Sequence, residues 1–383
     1  MVSSKKRLPT SARWRWSTSS PQVSTLCLRH ESRRDSARGE ASRNRGVHPG
    51  NEEGRAMAAV LARTELSQAW EHLTVDTQTV AKQQLLARLQ AEESASIARK
   101  IANVVGGLSY HVGETDSGWP ELIPTVLEMC GRGTGVQREM GYHVLSLLPG
   151  SMHAQVKQEL PRVQALLEAA LVAPAPVGDG RVGDQHAEVQ VAAMKAVSAY
   201  LGSCNSPKEM KPLQPLLSHM LRCIGGWLGI GAQPPAGLGA GGALAESELR
   251  EISGRAGMDA LLEISDVNVR FLKPHLADLT TAMLGHVAIN ANLESATRRL
   301  AVELMVELAE KAPGMMKNHK GFVQQIVTVA LQLMVAGVDS GVDLEVWSQW
   351  GRSDGEDDSE QEEDGEEQAL FEQGLEALDR LAM

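Results

Sequence analysis

The sequence predicts an all-α protein in which antiparallel helix pairs stack into one elongated solenoid. Three observations support this fold class. Hydrophobic residues make up 43% of the 383-residue chain but aromatic residues only 3%, which suits helices rich in Leu, Ala and Val better than aromatic-rich sheets. Apolar residues recur three and four positions apart along most of the chain, the spacing of one helix face. The predicted helices also come in pairs, and the pairs repeat.

The predicted helices follow one another with recognisable boundaries. Asp76 is a residue type that caps helix N-termini, and an apolar face follows it. Pro120 suits the first turn of the next pair, and Pro149 with Gly150 ends that pair. A helix over about 319–336 is predicted to find its partner only near Ala369. The complete predicted pairs span about 76–89 with 97–108, 120–129 with 136–147, 156–172 with 187–202, 211–228 with 246–265, and 271–288 with 293–311.

The spacing of these pairs indicates the kind of array. The second helices are predicted to begin near residues 95, 135, 187, 246, 293 and 369. Intervals of about 40 to 60 residues, and about 76 at the last step, match the HEAT and armadillo period with loop insertions. Because one pair cannot bury its apolar stripe alone, stacking gives a continuous core along a superhelix. We therefore predict a HEAT-repeat α-solenoid over residues 57–383, with a generic helical bundle as the alternative.

Residues 1–55 form a basic leader in front of the solenoid. They hold about twelve Lys and Arg against five Asp and Glu, are rich in Ser, and show no apolar period. Such a composition cannot form a core, so we predict a disordered segment. A transit peptide and a basic nucleic-acid or nuclear-signal patch remain alternative interpretations.

Two inserts interrupt the predicted array, a Gly/Pro-rich loop at 229–244 and an acidic loop at 343–368. Gly237, Gly239 and Gly242 in the first loop match the spacing of a dinucleotide-binding motif. That motif must follow a strand and open a helix. A predicted helix precedes it here, so we do not assign a nucleotide site.

The acidic loop is the predicted partner-binding site. Like charges at this density repel, which keeps the segment extended and solvated. Because it lies between two helices of one repeat, it would hold a dense negative field beside the array and attract a basic protein surface. A solubilising loop is the alternative, and calcium binding is a weaker one because the EF-hand ligand order is missing. The predicted site residues are Asp354, Glu356, Asp357, Asp358, Glu360, Glu362, Glu363, Asp364, Glu366 and Glu367.

Other functional classes lack their signatures. The metalloprotease, P-loop and hydrolase motifs are missing, so we predict no enzyme, catalytic residue, metal site or cofactor. The four cysteines form no CxxC pair, which favours a reducing compartment. No apolar run is long enough to span a membrane, and the net charge of −11 argues against direct nucleic-acid binding.

Several segments in a fixed order resemble one protein family. The body resembles importin-β-type nuclear transport receptors, most closely the karyopherin-β3 or importin-five class, over about 57–383. Members are much longer, and here a basic leader replaces their earliest repeat, so we expect an N-terminal portion of such a receptor. The segments are 57–63, 75–82, Gly118-Trp119-Pro120-Glu121-Leu122, 272–276, 298–303, the acidic loop preceded by Trp347, and 377–382.

The resemblance implies a function. Such receptors bind cargo with basic nuclear localisation signals in the cytoplasm and cross the nuclear pore through Phe-Gly repeats of nucleoporins. They release cargo when RanGTP binds, and so shuttle between cytoplasm and nucleus. The implied partners are the Ran GTPase, basic cargo proteins and nucleoporin Phe-Gly repeats, with no membrane and no nucleic acid. The alternative is a HEAT-repeat scaffold for a phosphatase or cytoskeletal complex.

Overall fold

The computed structural model describes residues 50–113, 118–148, 150–172, 180–204, 206–230, 240–339 and 364–382. Within these ranges the regular structure is entirely helical. The α-helices are α1 (Gly50–Ala69), α2 (Val75–Ala91), α3 (Ala95–Gly113), α4 (Leu122–Arg132), α5 (Gly135–Leu147), α6 (His153–Gln158), α7 (Leu160–Val172), α8 (Gly180–Gly202), α9 (Pro207–Met210), α10 (Gln214–Trp227), α11 (Ala240–Asn268), α12 (Leu276–Ala282), α13 (Ser295–Lys311), α14 (Pro313–Lys317), α15 (Phe322–Asp339) and α16 (Asp364–Ala382). Short 3₁₀ segments lie at Trp70–His72, Gly150–Met152, Lys211–Leu213 and Val269–His275, and a π-helical segment at Met283–Val287.

The long helices pack as two rows, which confirms the predicted HEAT-repeat solenoid. The second-helix row consists of α1, α3, α5, α8, α11, α13 and α16, and each helix in it contacts the next. The first-helix row consists of α2, α4, α7, α10, the α12–π segment and α15. Each first helix also packs on the second helix that follows it, most extensively α15 on α16. One continuous cluster of buried apolar side chains runs through all the pairs.

Helix starts agree with the sequence prediction at three second helices and differ from it at three others. Helices α3, α5 and α13 begin close to the predicted positions. In contrast, α8 begins at Gly180, α11 at Ala240 and α16 at Asp364, each ahead of its apolar stripe. Their first turns all contain Gly, and those of α8 and α16 also contain charged residues, so none of them carries a hydrophobic period. The Gly/Pro-rich loop predicted at 229–244 therefore ends at Ala240, and residues 231–239, with Gly237 and Gly239, lie outside the described residues.

The predicted leader also ends earlier than expected. Helix α1 begins at Gly50, inside the segment 1–55, because it packs against α3. The Arg55 guanidinium donates to Glu92 Oε2 at 2.7 Å, and the Ser94 hydroxyl bonds Glu52 Oε1 at 2.7 Å. These bonds hold α1 against the residues that open α3. The remainder of the predicted disordered leader, residues 1–49, lies outside the described residues.

The same arrangement recurs farther along the second-helix row. The Glu251 carboxylate of α11 accepts a hydrogen bond from the backbone N–H of Glu294 at 2.7 Å, and Arg255 forms an ion pair with the Glu294 side chain. Glu294 is the N-cap residue of α13. At both junctions, a Glu and an Arg on one second helix hold the residues just before the next one.

The contacts just before α4 account for the sequence Gly118-Trp119-Pro120 at that position. Gly118 has a φ of +51°, a left-handed conformation that favours glycine, and Trp119 is fully buried. The Lys82 ammonium donates to the Gly118 carbonyl at 2.7 Å and lies 5.8 Å from the centre of the Trp70 ring. Burial lowers the pKa of Lys82, and the nearby Glu121 charge opposes that shift.

Two glycines allow close contact within the pairs. A Cβ at Gly141 of α5 would lie 2.7 Å from the Cys130 sulfur of α4. A Cβ at Gly374 of α16 would lie 2.5 Å from the Ala330 carbonyl oxygen of α15. Both helix pairs therefore approach more closely than any larger residue would permit.

Two further properties concern the described part of the chain as a whole. None of its helices combines the length and the apolar character needed to cross a bilayer. Within the same residues, no group of three or more His, Cys, Asp or Glu side chains is arranged to hold a metal ion.

Candidate functional site

The structure describes only the end of the predicted acidic site. Asp364, Glu366 and Glu367 lie in the first turn of α16, so the loop predicted to reach residue 368 ends earlier. The other seven predicted site residues lie outside the described residues: Asp354, Glu356, Asp357, Asp358, Glu360, Glu362 and Glu363.

The helices on either side of the acidic segment are packed together. The chain leaves α15 at Asp339 and enters α16 at Asp364, and α15 and α16 form the most extensive first-to-second helix contact among the described residues. Gly374 lets the two backbones approach. The two ends of the acidic segment are consequently fixed by the same helix pair.

Arg380 fastens this pair to the preceding one. Its guanidinium binds Glu310 of α13 through two bonds of 2.7 and 2.8 Å, and Glu303 through bonds of 2.8 and 2.9 Å. The hydrogen bond from Arg380 lowers the pKa of Glu310, and the bond to Glu310 raises the pKa of Arg380. Both groups stay charged at neutral pH, so α16 is tied to α13.

Two other polar pairs bridge α3 to α5 within the second-helix row. Arg99 of α3 pairs with Glu139 of α5, whose side chain is only 5% exposed. One turn further, Asn103 Oδ1 lies 3.0 Å from His143 Nε2. Burial, with the Arg99 and Lys195 charges, lowers the pKa of His143 to about 4, so its imidazole is neutral at physiological pH.

A groove of about 490 Å³ opens where α5, α8 and α11 meet. Lys195 and Glu263 stand on the α8 and α11 walls, and Ser198 lines the groove while being only 3% exposed. Asp266, also in the lining, is held by Lys311 of α13. The full lining consists of His143, Ser146, Leu147, Lys195, Ser198, Ala199, Gly202, Glu263, Asp266 and Val267.

A second, shallower groove of about 390 Å³ lies in the first-helix row. It runs between the π-helical segment and α15, with Leu284, Gly285 and Val329 in its lining. Ile289, which is 46% exposed, also borders it. Single π-turns inside helices are frequent at functional sites because they displace side chains from the regular helix face.

Comparison with known proteins identifies the family. Residues 93–228 match the family described as IPO5-like TPR repeats, and residues 290–383 match the importin repeat. Over 313 residues the chain is 24% identical to importin subunit beta-3 of Saccharomyces cerevisiae, covering 82% of this chain and 24% of that protein. The chain belongs to the importin-β family. It therefore spans about a quarter of the length of this curated relative.

Solved structures of the importin-β family share the fold. Kap121p bound to Nup53p superposes with a TM-score of 0.63 and 21% identity, over 85% of this chain and 27% of that one. Kap121p bound to the SUMO protease Ulp1p also gives a TM-score of 0.63, with 22% identity over 88% of this chain and 28% of that one. The predicted importin-β resemblance, in its karyopherin-β3 class, is confirmed.

Sequence reasoning missed both grooves. Their residues come from helices that are far apart in the chain, such as His143, Lys195 and Glu263. No local motif joins these positions. The helical period places each of them on a face of its own helix, but only the packing of the rows brings the faces together.

Proposed function

We propose that this protein acts as a nuclear import receptor that binds basic cargo, contacts nucleoporins and responds to RanGTP. The observation that carries the proposal is the acidic segment, with ten carboxylates in residues 354–367, which leads into the first turn of α16 in an importin-family solenoid. The importin subunit beta-3 relative, and Kap121p bound to Ulp1p or Nup53p, support a role in transport. Such a role requires binding and release in the cytoplasm and nucleus, without chemistry or a cofactor.

The acidic segment would attract basic proteins mainly through long-range electrostatics. Its charges are dense, and the helices that precede and follow it, α15 and α16, are packed together. Because the Debye length is about 8 Å at physiological salt, the attraction should raise association rates at low salt and fade as salt increases.

Neutralising the segment tests its role. We expect replacement of Asp357, Asp358, Glu362, Glu363 and Asp364 by Asn or Gln to weaken binding of a basic nuclear-localisation peptide and of Ran. The matched control neutralises Glu53, Glu65, Glu128, Glu248 and Glu372, which are exposed carboxylates elsewhere on the solenoid. Fluorescence anisotropy at low and moderate salt measures both. Equal affinities of the two variants at low salt would exclude the segment from cargo binding.

The response to Ran separates a transport receptor from a scaffold. Release of one ligand by another is a negative coupling between two sites on one protein. We therefore expect GTP-bound Ran to lower the affinity for the basic peptide by at least about fivefold, and GDP-bound Ran to leave it unchanged. A HEAT-repeat scaffold for a phosphatase or cytoskeletal complex would not distinguish the two nucleotide states.

The first-helix groove is the proposed contact for nucleoporin Phe-Gly repeats. Its lining combines Leu284, Ile289 and Val329 with three glutamines and a threonine, and its open shape suits weak insertion of a single aromatic ring. We expect Ile289→Asp to weaken binding of a Phe-Gly repeat peptide. Val323→Asp is the control, because Val323 is 62% exposed on α15 but does not line the groove. Equal weakening by both variants would mean that the groove has no specific role.

A further inference from the structure

We propose that α16 of one molecule docks on α1 of a second copy of this chain, so that the second-helix row continues from one molecule into the next. The inference goes beyond the proposed function and does not depend on it. It assigns an occupant to two apolar helix faces that are exposed at opposite ends of the described row. Exposed apolar faces of this kind mark interaction surfaces.

The first face lies on α16. Gln373 of α16 donates a hydrogen bond to Glu303 of α13 at 3.4 Å, so it marks the side of α16 that faces the preceding helix. An α-helix turns by about 100° per residue, which places Leu375 on the opposite side, where it is 52% exposed. Phe371 and Leu378, one turn before and one turn after Leu375, extend this apolar side.

The second face lies on α1, at the other end of the described row. Glu52 accepts a hydrogen bond from Ser94 just before α3, so it marks the side of α1 that faces the next helix. Leu61 follows Glu52 by about two and a half turns and therefore lies on the opposite side. On that side Met57, Val60 and Leu61 are each at least 50% exposed.

The direction of the second helices determines how the two faces would meet. The two polar pairs that link α3 to α5 each join residues 40 positions apart, and two of the pairs that link α13 to α16 join residues 70 positions apart. A constant separation means that neighbouring second helices run parallel and in step. With α1 beside α16 in the same way, Leu61 lies level with Leu375, because each is eleven residues past the start of its helix.

The segments that lead into these two helices have opposite charges. Residues 1–49 hold eleven Lys and Arg against three Asp and Glu, whereas residues 340–363 hold nine Asp and Glu against one Arg. Because parallel helices begin at the same edge of a row, the basic segment of one copy would enter beside the acidic segment of the other. This complementarity favours α16 against α1, and it disfavours α16 against α16, which would unite two acidic segments.

Sedimentation velocity of the full chain at low salt tests the contact. We expect the wild type to form species larger than a monomer as its concentration rises. Leu61→Asp and Leu375→Asp should each weaken association at least about tenfold, because each places an unpaired charge in the apolar contact. The matched control is Ile252→Asp, at a 45% exposed position on α11 inside the row, which should associate like the wild type.

A mixture of the two variants identifies which faces meet. The Leu61→Asp chain keeps its α16 face and the Leu375→Asp chain keeps its α1 face. Each alone should stay monomeric, whereas an equimolar mixture should form a dimer with one copy of each and no larger species. This outcome is specific to a heterologous contact, which otherwise extends into open chains. Assembly of Leu61→Asp by itself, or no dimer in the mixture, overturns the proposal.

The contribution of charge is measured separately. Replacing three arginines of the basic segment by Gln should weaken association at low salt and have less effect at high salt; they are Arg29, Arg33 and Arg34. The same replacement at three exposed positions inside the array should have no effect; they are Arg132, Lys273 and Arg299. Tighter association of the first variant would mean that the basic segment covers α1 of its own molecule, which contradicts docking of a second copy.

Two further checks make the result decisive. Circular dichroism and thermal unfolding establish that each variant folds, and Leu61→Asn or Leu375→Asn replaces an Asp variant that does not. A wild type that remains monomeric at its highest attainable concentration overturns the proposal. The cargo, Ran and nucleoporin tests are unaffected by that result, because each of them measures binding to a single chain.

Discussion

The two rows of helices are joined along the solenoid in different ways. In the second-helix row every helix contacts the next, and polar side chains bridge α1 to α3, α3 to α5, α11 to α13 and α13 to α16. In the first-helix row the contacts between neighbours are sparser, and 3₁₀ and π segments interrupt the helices over residues 269–287. The second-helix row therefore carries the coupling between repeats, whereas the first-helix row can be altered locally.

The largest effect is expected where the two rows meet. Gly374→Val would push α16 away from the Ala330 carbonyl, and overpacking of this kind costs about 2–3 kcal/mol. Since an array does not unfold as a single two-state unit, the measurement is the hydrogen-exchange opening free energy of α16. The control is Gly107→Ala on α3, which meets nothing within 4 Å and should stabilise its helix by about 0.5–1 kcal/mol. Unchanged exchange in α16 of Gly374→Val would contradict the close packing.

Arg380 tests the coupling within the second-helix row. Arg380→Ala removes four bonds to Glu303 and Glu310, and we expect a loss of about 1–2 kcal/mol, because the network is multiple but partly exposed. Exchange should accelerate in α16 and less in α15. Arg299→Ala, at an exposed position on α13, should change stability by less than about 0.5 kcal/mol. Similar losses of stability in both variants would show that the Arg380 network contributes no more than an ordinary surface residue.

His143 gives the row a dependence on pH. Its pKa is about 4 in the folded protein and near its ordinary value of about 6.5 in the unfolded chain. The unfolded state therefore binds more protons between these values, so stability is constant above about pH 6.5 and falls as pH drops toward 4. We expect about 1–2 kcal/mol from this partly buried ring. The hydrogen-exchange opening free energy of α5, corrected for the intrinsic exchange rate at pH 7 and at pH 4.5, should differ less between these pH values in His143→Gln than in the wild type or His286→Gln.

The smallest expected effect concerns the junction before α13. Glu251→Ala removes the acceptor for the Glu294 N–H, and losing such a cap costs about 1 kcal/mol. Exchange should quicken in the first turn of α13 and not in α10. Glu248→Ala, an exposed position on the same helix, is the control. Equally faster exchange throughout both rows would contradict a local role of Glu251 at the start of α13.

The sequence predicted the fold well because its signal is local and repeated. Apolar spacing identified the helices from Ile97 to Leu308, and the period of the second helices indicated the array. It failed at Gly180, Ala240 and Asp364, where helices extend beyond their apolar stripes. The charge of the acidic segment was visible as composition, whereas the groove with Lys195 and Glu263 depends on packing between α8 and α11, which no local pattern encodes.

The polar contacts just before α3 and just before α13 indicate where the array can be recombined. Before α3, Arg55 binds Glu92 and Glu52 binds Ser94. Before α13, Glu251 and Arg255 both bind Glu294. Repeats that are joined by similar contacts can be exchanged, because each repeat contacts only its neighbours. A chimaera could join α1 to the residues just before α13, or α11 to the residues just before α3. Either junction would keep a Glu and an Arg on the preceding second helix. The protein thus offers natural splice points for building shorter or longer arrays.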